Sequence, residues 1–399
     1  MSDRAAAARY LAQARATRAY TARHLAYYGG AADGGAPWVS YRRSTAEPDY
    51  SDSWYDCSQI LADAALAACG DAACVADAAR AFRHLERHWD PTGGGYFGRG
   101  GVRGDWVAGP DKYADDNALA GVALLHAQSS EPDAARRRRY VARAIAIAEY
   151  LARDLWDDVF GGGFWWNTRR GDGVEGKPAQ SNGLAALLLL WLHDLTGEPR
   201  WRAWAARTLT WLDATLWDQG AGLYRYSVHY ADLAARTGQV VERRYFNYDQ
   251  GILIEAHARA AVGLVERPAG GAAGGDAAER GAHLRRARTI ASSLEGRFWD
   301  AALGGYVLEA GVPQLYLVYA AWLTPALLAL FAADADPRWL ALARRNVDTL
   351  HARLYDPRDG GYAHRAWRDA GQVRLDPERH TAAQAWMQYA QAALAAALA

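Results

Sequence analysis

The sequence predicts an all-α fold, an (α/α)6 toroid of six helical hairpins, and three observations lead there. Apolar residues recur at the helical period along the whole chain, whereas strand alternation of any length is hard to find. Connections between the expected helices alternate short and long. The long ones share a signature, an aromatic residue followed by Asp, a glycine turn and then Tyr or Phe. An internal repeat of this kind marks stacked supersecondary units.

The first helix is expected over 4–27, where arginines recur through MSDRAAAARYLAQARATRAYTARHLAYYGG. That pattern is amphipathic and lacks the uninterrupted apolar centre of a signal peptide. Helices 57–69 and 75–89 follow, joined by a short turn after Cys69. HWDPTGGGYFGR, from His88, is the first long repeat and leads to helix 116–128, with 133–153 beyond a turn after Ser129. LWDDVFGGGFWWNT, from Leu155, leads to 182–195, and the DLTGEPR turn to 198–214. LWDQGAGLYRY, from Leu216, leads to 249–264, and the Gly/Ala-rich ERPAGGAAGGDAAER (266–280) reads as a flexible surface insertion before 277–297. FWDAALGGYVLE, from Phe298, leads to 315–332, and the ADADPR turn to 336–352. LYDPRDGGYAHR, from Leu354, leads to the last helix, 380–398.

Helices that follow long loops are the expected inner set, because LAALLLLWL (184–192) is apolar on every face. All long loops then gather on one rim, at the N-terminal ends of the inner helices, and a functional cleft belongs there. The whole chain, 1–399, reads as one domain. An open superhelix of helical repeats is the alternative.

Lys plus Arg and Asp plus Glu are 45 each, so the formal net charge is zero, which argues against nucleic-acid and anionic-membrane partners. The one basic block, Arg136 to Arg139, reads as a solvated helix face. Cys57, Cys69 and Cys74 make neither a disulfide framework nor a metal spacing, so no metal is expected. No apolar run of about 18 residues occurs, so no membrane span is expected. As written the chain reads as cytoplasmic, and as secreted if an export signal was removed. Seventeen Trp and 22 Tyr stand against 7 Phe. Aromatics with polar handles suit wet surfaces where flat ligands such as sugars stack, although Trp-rich helix packing gives the same count.

The starts of the inner helices deliver Trp54, Tyr55 and Asp56, then Tyr113, Asp115, Asp116 and Asn117. Next come Trp165, Trp166, Asn167, Gln180, Ser181 and Asn182, followed by Tyr245, Asn247, Tyr248, Asp249 and Gln250. The last two supply Gln314, Tyr316 and Tyr319, and His380, Thr381 and Gln384. Any single Asp, Ser or Asn here is an ordinary N-cap. Two consecutive aspartates, Asp115 and Asp116, are one carboxylate more than a cap needs. Retaining glycosidases use two carboxyls about 5–5.5 Å apart, one as nucleophile and one as acid/base. Carboxyls that close push their pKa values apart, and the helix N-terminus favours the anionic partner.

KYADDNALAGVALL (112–125), GGGFWWNTRR (161–170), QSNGLAALLLLWLHDLTGEPRW (180–201) and FNYDQGILIEAH (246–257) occur in that order. Together they resemble glycoside hydrolase family 76, the endo-α-1,6-mannanases and related transglycosidases. The resemblance implies an (α/α)6 toroid, a retaining mechanism, no metal or other cofactor, and an α-mannan or manno-oligosaccharide substrate. It implies Asp115 as nucleophile and Asp116 as general acid/base, with Trp165, Trp166, Asn182, Tyr248 and Gln250 lining mannose subsites. Tyr96, in the first glycine-turn repeat, and Asp249 complete the substrate-binding candidates. Two departures stand out: Leu119 where the family usually has Trp or another large residue, and Asp249 where it commonly has Asn. Two other functions fit the same layout. One is a sugar 2-epimerase with paired histidines, His257 and His380; the other is a non-catalytic glycan-binding protein in which the pair only caps a helix.

Overall fold

Twelve α-helices run through the described residues, 3–30, 35–103, 111–263 and 273–399 of this computed structural model. They are α1 (Asp3–His24), α2 (Ser53–Ala68), α3 (Ala72–Leu85), α4 (Ala114–Ser130), α5 (Ala134–Tyr150) and α6 (Ala179–Thr196). The second half holds α7 (Pro199–Thr215), α8 (Asn247–Val262), α9 (Ala273–Phe298), α10 (Leu317–Asp334), α11 (Pro337–Leu354) and α12 (Thr381–Ala397). The even-numbered helices pack in sequence, α2 on α4, α4 on α6, and so on to α12, which packs back on α2. That closure makes a ring and excludes the open superhelix. Each outer helix lies against the inner helix before it, and α1 lies against α12, so the first and last helices form the sixth hairpin.

Chemistry explains which helices are inside. Leu184 to Leu190 of α6 are all buried, as an inner helix touched from both sides requires. Glycines let inner helices approach closely. A Cβ at Gly121, Gly183 or Gly251 would come within 2.6, 2.7 and 2.8 Å of Leu188, Ile252 and Leu323 on the next inner helix. On the outside, Arg138 and Arg139 of α5 are exposed, as the basic block suggested. Helix α10 is long and apolar enough to cross a membrane by length and composition, a feature the expectation of no span passed over. It is instead a wall of the ring, and most of it is buried inside.

The repeated signature folds as a small hairpin. In five copies the two aromatics pair across it, Trp89 with Tyr96, Trp156 with Phe164, Trp217 with Tyr224, Trp299 with Tyr306 and Tyr355 with Tyr362. Their ring centroids lie 4.9 to 5.4 Å apart. The Asp after the first aromatic closes the turn: Asp90, Asp218 and Asp300 each accept two backbone N–H bonds. From the outer helices Arg143, Arg207, Arg286 and Arg345 lie 3.6 to 4.5 Å over the four tryptophans.

The inner helices hold the hairpins by an amide clamp. Asn117 accepts the Tyr96 N–H at 2.6 Å and donates to the carbonyls of Tyr96 and Tyr113. Asn182 does the same to Phe164 and Pro178, and Gln250 to Tyr224 and Phe246. Gln384 clamps Tyr362 from α12.

Four inner helices begin two to four residues before the expected starts at 57, 116, 182 and 249. Their first turns carry polar and aromatic rim residues, so the apolar period begins late. Helix α1 ends at His24 rather than 27, because residues 26–29 pair as a strand with 38–41. Other short strands also escaped expectation, among them 50–52 with 99–101 and the sheet of 314–316, 365–369 and 372–376. Segments of two to five residues show no readable alternation. Residues 266–272 of the expected insertion 266–280 lie outside the described residues, and 273–280 are the start of α9 rather than a loop.

Candidate active site

A cleft of about 530 Å³ opens at the N-terminal ends of the inner helices. Asp52, Trp54 and Tyr55 line it from the α2 side, Asp115 and Asp116 from α4, and Gln180 from α6. Tyr316, Val318 and Tyr319 close it beside α10, His380 and Ala382 beside α12, and Arg43, Leu308 and His364 come from connections.

The first turn of α4 is fixed by the hairpin that precedes α6. The Ala114 N–H donates to the Trp166 carbonyl at 2.7 Å, and Tyr113 bridges to Asn167. Tyr113 is the N-cap residue, extended and without a side-chain cap bond, which leaves the helix's own donors for the carboxylates. Asp115 is buried, and its Oδ2 accepts the Trp166 indole N–H at 3.4 Å. Burial raises its pKa to about 6, and the backbone N–H groups of Asp115 and Asp116 and the Trp166 indole hold it from rising further. Asp116 is half-buried and accepts the Ser53 hydroxyl at 3.4 Å. Its pKa is pushed well above the carboxylate range, first by burial, then by the charges of Asp115 and Asp52. Two adjacent carboxyls thus prefer opposite protonation states near neutral pH.

Asp52 is the residue that sequence reasoning missed. It caps α2 by accepting the Tyr55 N–H at 3.2 Å and lines the cleft with the pair. Burial lifts its pKa to about 7. The signal lay in SDSWYD (51–56), directly ahead of the expected helix start at 57, where an Asp is a common cap. His364 and Arg43 were also missed.

The predicted binding residues divide. Trp166 touches Asp115, and Tyr248 stacks on Phe246 at 5.5 Å and meets the cleft residue Tyr319 at 4.8 Å. Tyr96, Asn182 and Gln250 are fully buried and spend their hydrogen bonds on the clamps and on Glu86, so they belong to the scaffold and not to the cleft wall. Trp165 is buried as well: its indole donates to Asp157 at 2.7 Å, and the Lys177 ammonium sits 4.8 Å from its ring. Asp249 is fully buried with no well-formed hydrogen bond to either oxygen among the described residues. Burial drives its pKa well up, offset only in part by the Gln180 N–H. Leu119 packs in the core, so that departure lies outside the cleft.

Of the two expected histidines only His380 reaches the cleft, where it stacks on His364 at 3.7 Å. His257 is held behind the wall by Tyr224 and His283, each at 2.9 Å. Asp56, His84 and His88 are the one set among the described residues whose ligand atoms are close enough to share a metal ion, within 4.8 Å. Asp56 already accepts from the Tyr41 N–H and pairs with His84 Nδ1 at 2.5 Å.

Residues 104–261 match the family model for glycosyl hydrolase family 76, a span that holds both aspartates, Trp166, Gln180 and Tyr248. No curated protein matches the chain. A family 76 glycoside hydrolase from a bovine Bacteroides thetaiotaomicron strain superposes with a TM-score of 0.75 at 18% identity, covering 97% of this chain and 77% of that one. An α-1,6-mannanase of Salegentibacter superposes with a TM-score of 0.72 at 18% identity, covering 97% and 99%. That structure is an inactive variant with two consecutive aspartates changed to asparagine, in complex with α-1,6-mannotriose. A sugar epimerase from a ruminal bacterium shares the fold at a TM-score of 0.63 and 14% identity, covering 86% and 87%.

Proposed function

We propose that this chain is a glycosidase of the family 76 type and that it hydrolyses α-1,6-linked mannan or manno-oligosaccharides with retention of anomeric configuration. The observation that carries the proposal is the pair of consecutive carboxyls on one cleft wall with opposite protonation preferences. Asp115 is the nucleophile. It is anionic above a pH of about 6 and sits on the first-turn N–H groups of α4, which favour the charge. Asp116 holds its proton at that pH and protonates the leaving glycosidic oxygen as Asp115 attacks the anomeric carbon. In the second displacement Asp116 takes a proton from water, which releases the sugar from Asp115. Trp54, Tyr316 and Tyr319 offer aromatic faces for the sugar rings along the cleft.

Asp115→Asn is expected to abolish turnover of α-1,6-mannotriose, and Asp116→Asn to lower kcat by about 10²–10⁴-fold, with both variants folded by circular dichroism. Proton NMR of the first product should show the α anomer. A β first product, or near-wild-type turnover by either variant, would reject the mechanism. The kcat/KM profile should rise through an acid limb near pH 6, set by Asp115.

A second function has one observation in its favour, the stacked His364–His380 pair on the cleft wall. Imidazoles so placed suit proton transfer at a free sugar. Incubation with free mannose and with mannotriose separates the two, because an epimerase changes configuration without creating a new reducing end.

A further inference from the structure

We propose that Asp52 is a positioning residue for the reaction, a third carboxyl that holds the acid form of Asp116 and thereby sets the alkaline limit of activity. The inference rests on the assignment of Asp116 as acid/base. Asp52 ends the strand 50–52, which pairs with 99–101, and the same backbone continues directly into α2. Its neighbour Ser53 donates a backbone N–H to the Gly98 carbonyl at 2.9 Å, and its hydroxyl lies 3.4 Å from Asp116 Oδ2. A Cβ on Gly98, just before the strand 99–101, would lie 3.2 Å from that same oxygen, so Asp116 and the Tyr113 ring leave little room for a side chain there.

A plain helix cap uses one carboxylate oxygen. Oδ1 of Asp52 does that work with the Tyr55 N–H, the Trp54 N–H also acts on the carboxylate, and Oδ2 accepts the Tyr50 hydroxyl at the limit of hydrogen bonding, 3.5 Å. The side chain is half-buried and lines the cleft that holds the aspartate pair. The charged and titratable groups facing this cluster from the packed elements include Arg43, Tyr50 and Tyr55 around Asp52, Asp56 and Cys57 further into α2, and Tyr113 and Arg99 beside Asp116. Arg43 is a cation acting on Asp52, its partner Glu47, at 3.5 Å, competes for it, and Arg99 stands opposite Asp52 in the strand pair. The net effect of the neighbourhood on Asp116 is that of added negative charge.

Burial lifts Asp115 to about 6 and Asp52 to about 7, while Asp116, held well above the ordinary carboxylate range, would give up its proton against both of their charges. A like charge nearby disfavours the second ionisation. Without Asp52 the proton on Asp116 loses one of its two supporting charges, and the acid deprotonates at lower pH.

Asp52→Asn tests this cleanly, because Asn caps a helix start as well as Asp does and keeps the Tyr55 bond. With α-1,6-mannotriose, the alkaline limb of kcat/KM should move down by about one pH unit while the acid limb stays in place. With 2,4-dinitrophenyl α-mannoside, whose leaving group needs no proton, the alkaline loss should be much smaller in wild type and variant alike. An unmoved alkaline limb would overturn the proposal. So would a uniform drop at every pH on both substrates, which marks a structural role, or a rise in KM alone, which marks a sugar ligand. Failure of the Asp116 assignment shows separately, as an active Asp116→Asn enzyme.

Discussion

Asp249 carries a carboxyl that the fold keeps away from solvent, with burial as the dominant influence on it. A carboxyl whose folded pKa exceeds its unfolded value binds protons in the native state that the unfolded chain releases. Stability from this group is therefore greatest below about pH 4 and falls as pH rises toward the folded pKa. Asp249→Asn removes that slope. The variant should match wild type near pH 4 and exceed it at pH 8 by roughly 1–3 kcal/mol, the cost of a buried unsatisfied polar group. Urea titrations at the two pH values check it, and an equal difference at both would sink the idea. At this scale the sequence spoke unevenly. Adjacency made Asp115 and Asp116 legible, since two carboxylates exceed what one cap requires. Motif position could not say which side chain faces the cleft, so Trp165 and Asn182 were grouped with Trp166 and Gln180 although they point into the scaffold. Asp52 stayed hidden because its helix begins before the apolar period does.

At the scale of the element, the hairpin and its clamp are the repeated part. Asn182 satisfies the N–H and carbonyl of Phe164 and the carbonyl of Pro178 with one amide, all buried. Asn182→Leu leaves those backbone groups without partners and should cost about 2–4 kcal/mol, read as a lower urea midpoint at unchanged m-value. Loss of less than about 0.5 kcal/mol, the level of an ordinary surface change, would remove the clamp from the account. The same lesion at Asn117 should also lower kcat, because that amide holds Tyr113, the residue that starts the helix bearing the aspartates. The aromatic–Asp–glycine–aromatic repeat is readable in the sequence, because the turn and its ring pair are local. Its partner amide was visible as a residue but not as a clamp, since the contact joins positions 18 to 26 residues apart in these copies. The short strands were unreadable for a different reason: their register is set by the helices they connect.

Taken as a whole molecule, the ring depends on its first helix. Inner helices were recognisable from their all-round apolar sequence, and closure followed from the count of hairpins, but the pairing of α1 with α12 joins the two ends of the sequence and leaves no local trace. Helix α1 spans that seam. Thr17 donates to Gln391 of α12 at 3.0 Å, Tyr10 donates to Asp348 of α11 at 2.9 Å, and Arg18 pairs with Asp63 of α2 and Asp77 of α3. Ala14 packs with Leu66, Cys74 and Ala392, a small apolar cluster shared by α1, α2, α3 and α12. The same seam carries Asp52 and His380 to the cleft, at the starts of the neighbouring helices α2 and α12. Removal of residues 1–24 should therefore uncover the outer face of α12, loosen its packing on α2, and lower both thermal stability and activity. In the full chain, activity and helical circular dichroism should be lost at the same urea concentration, because one closed ring unfolds as one unit. In the truncated chain, activity should be lost first, as α12 separates from α2 before the remaining hairpins melt. Coincident transitions in both chains, with equal midpoints, would show that the ring holds without α1 and that the cleft does not depend on its closure.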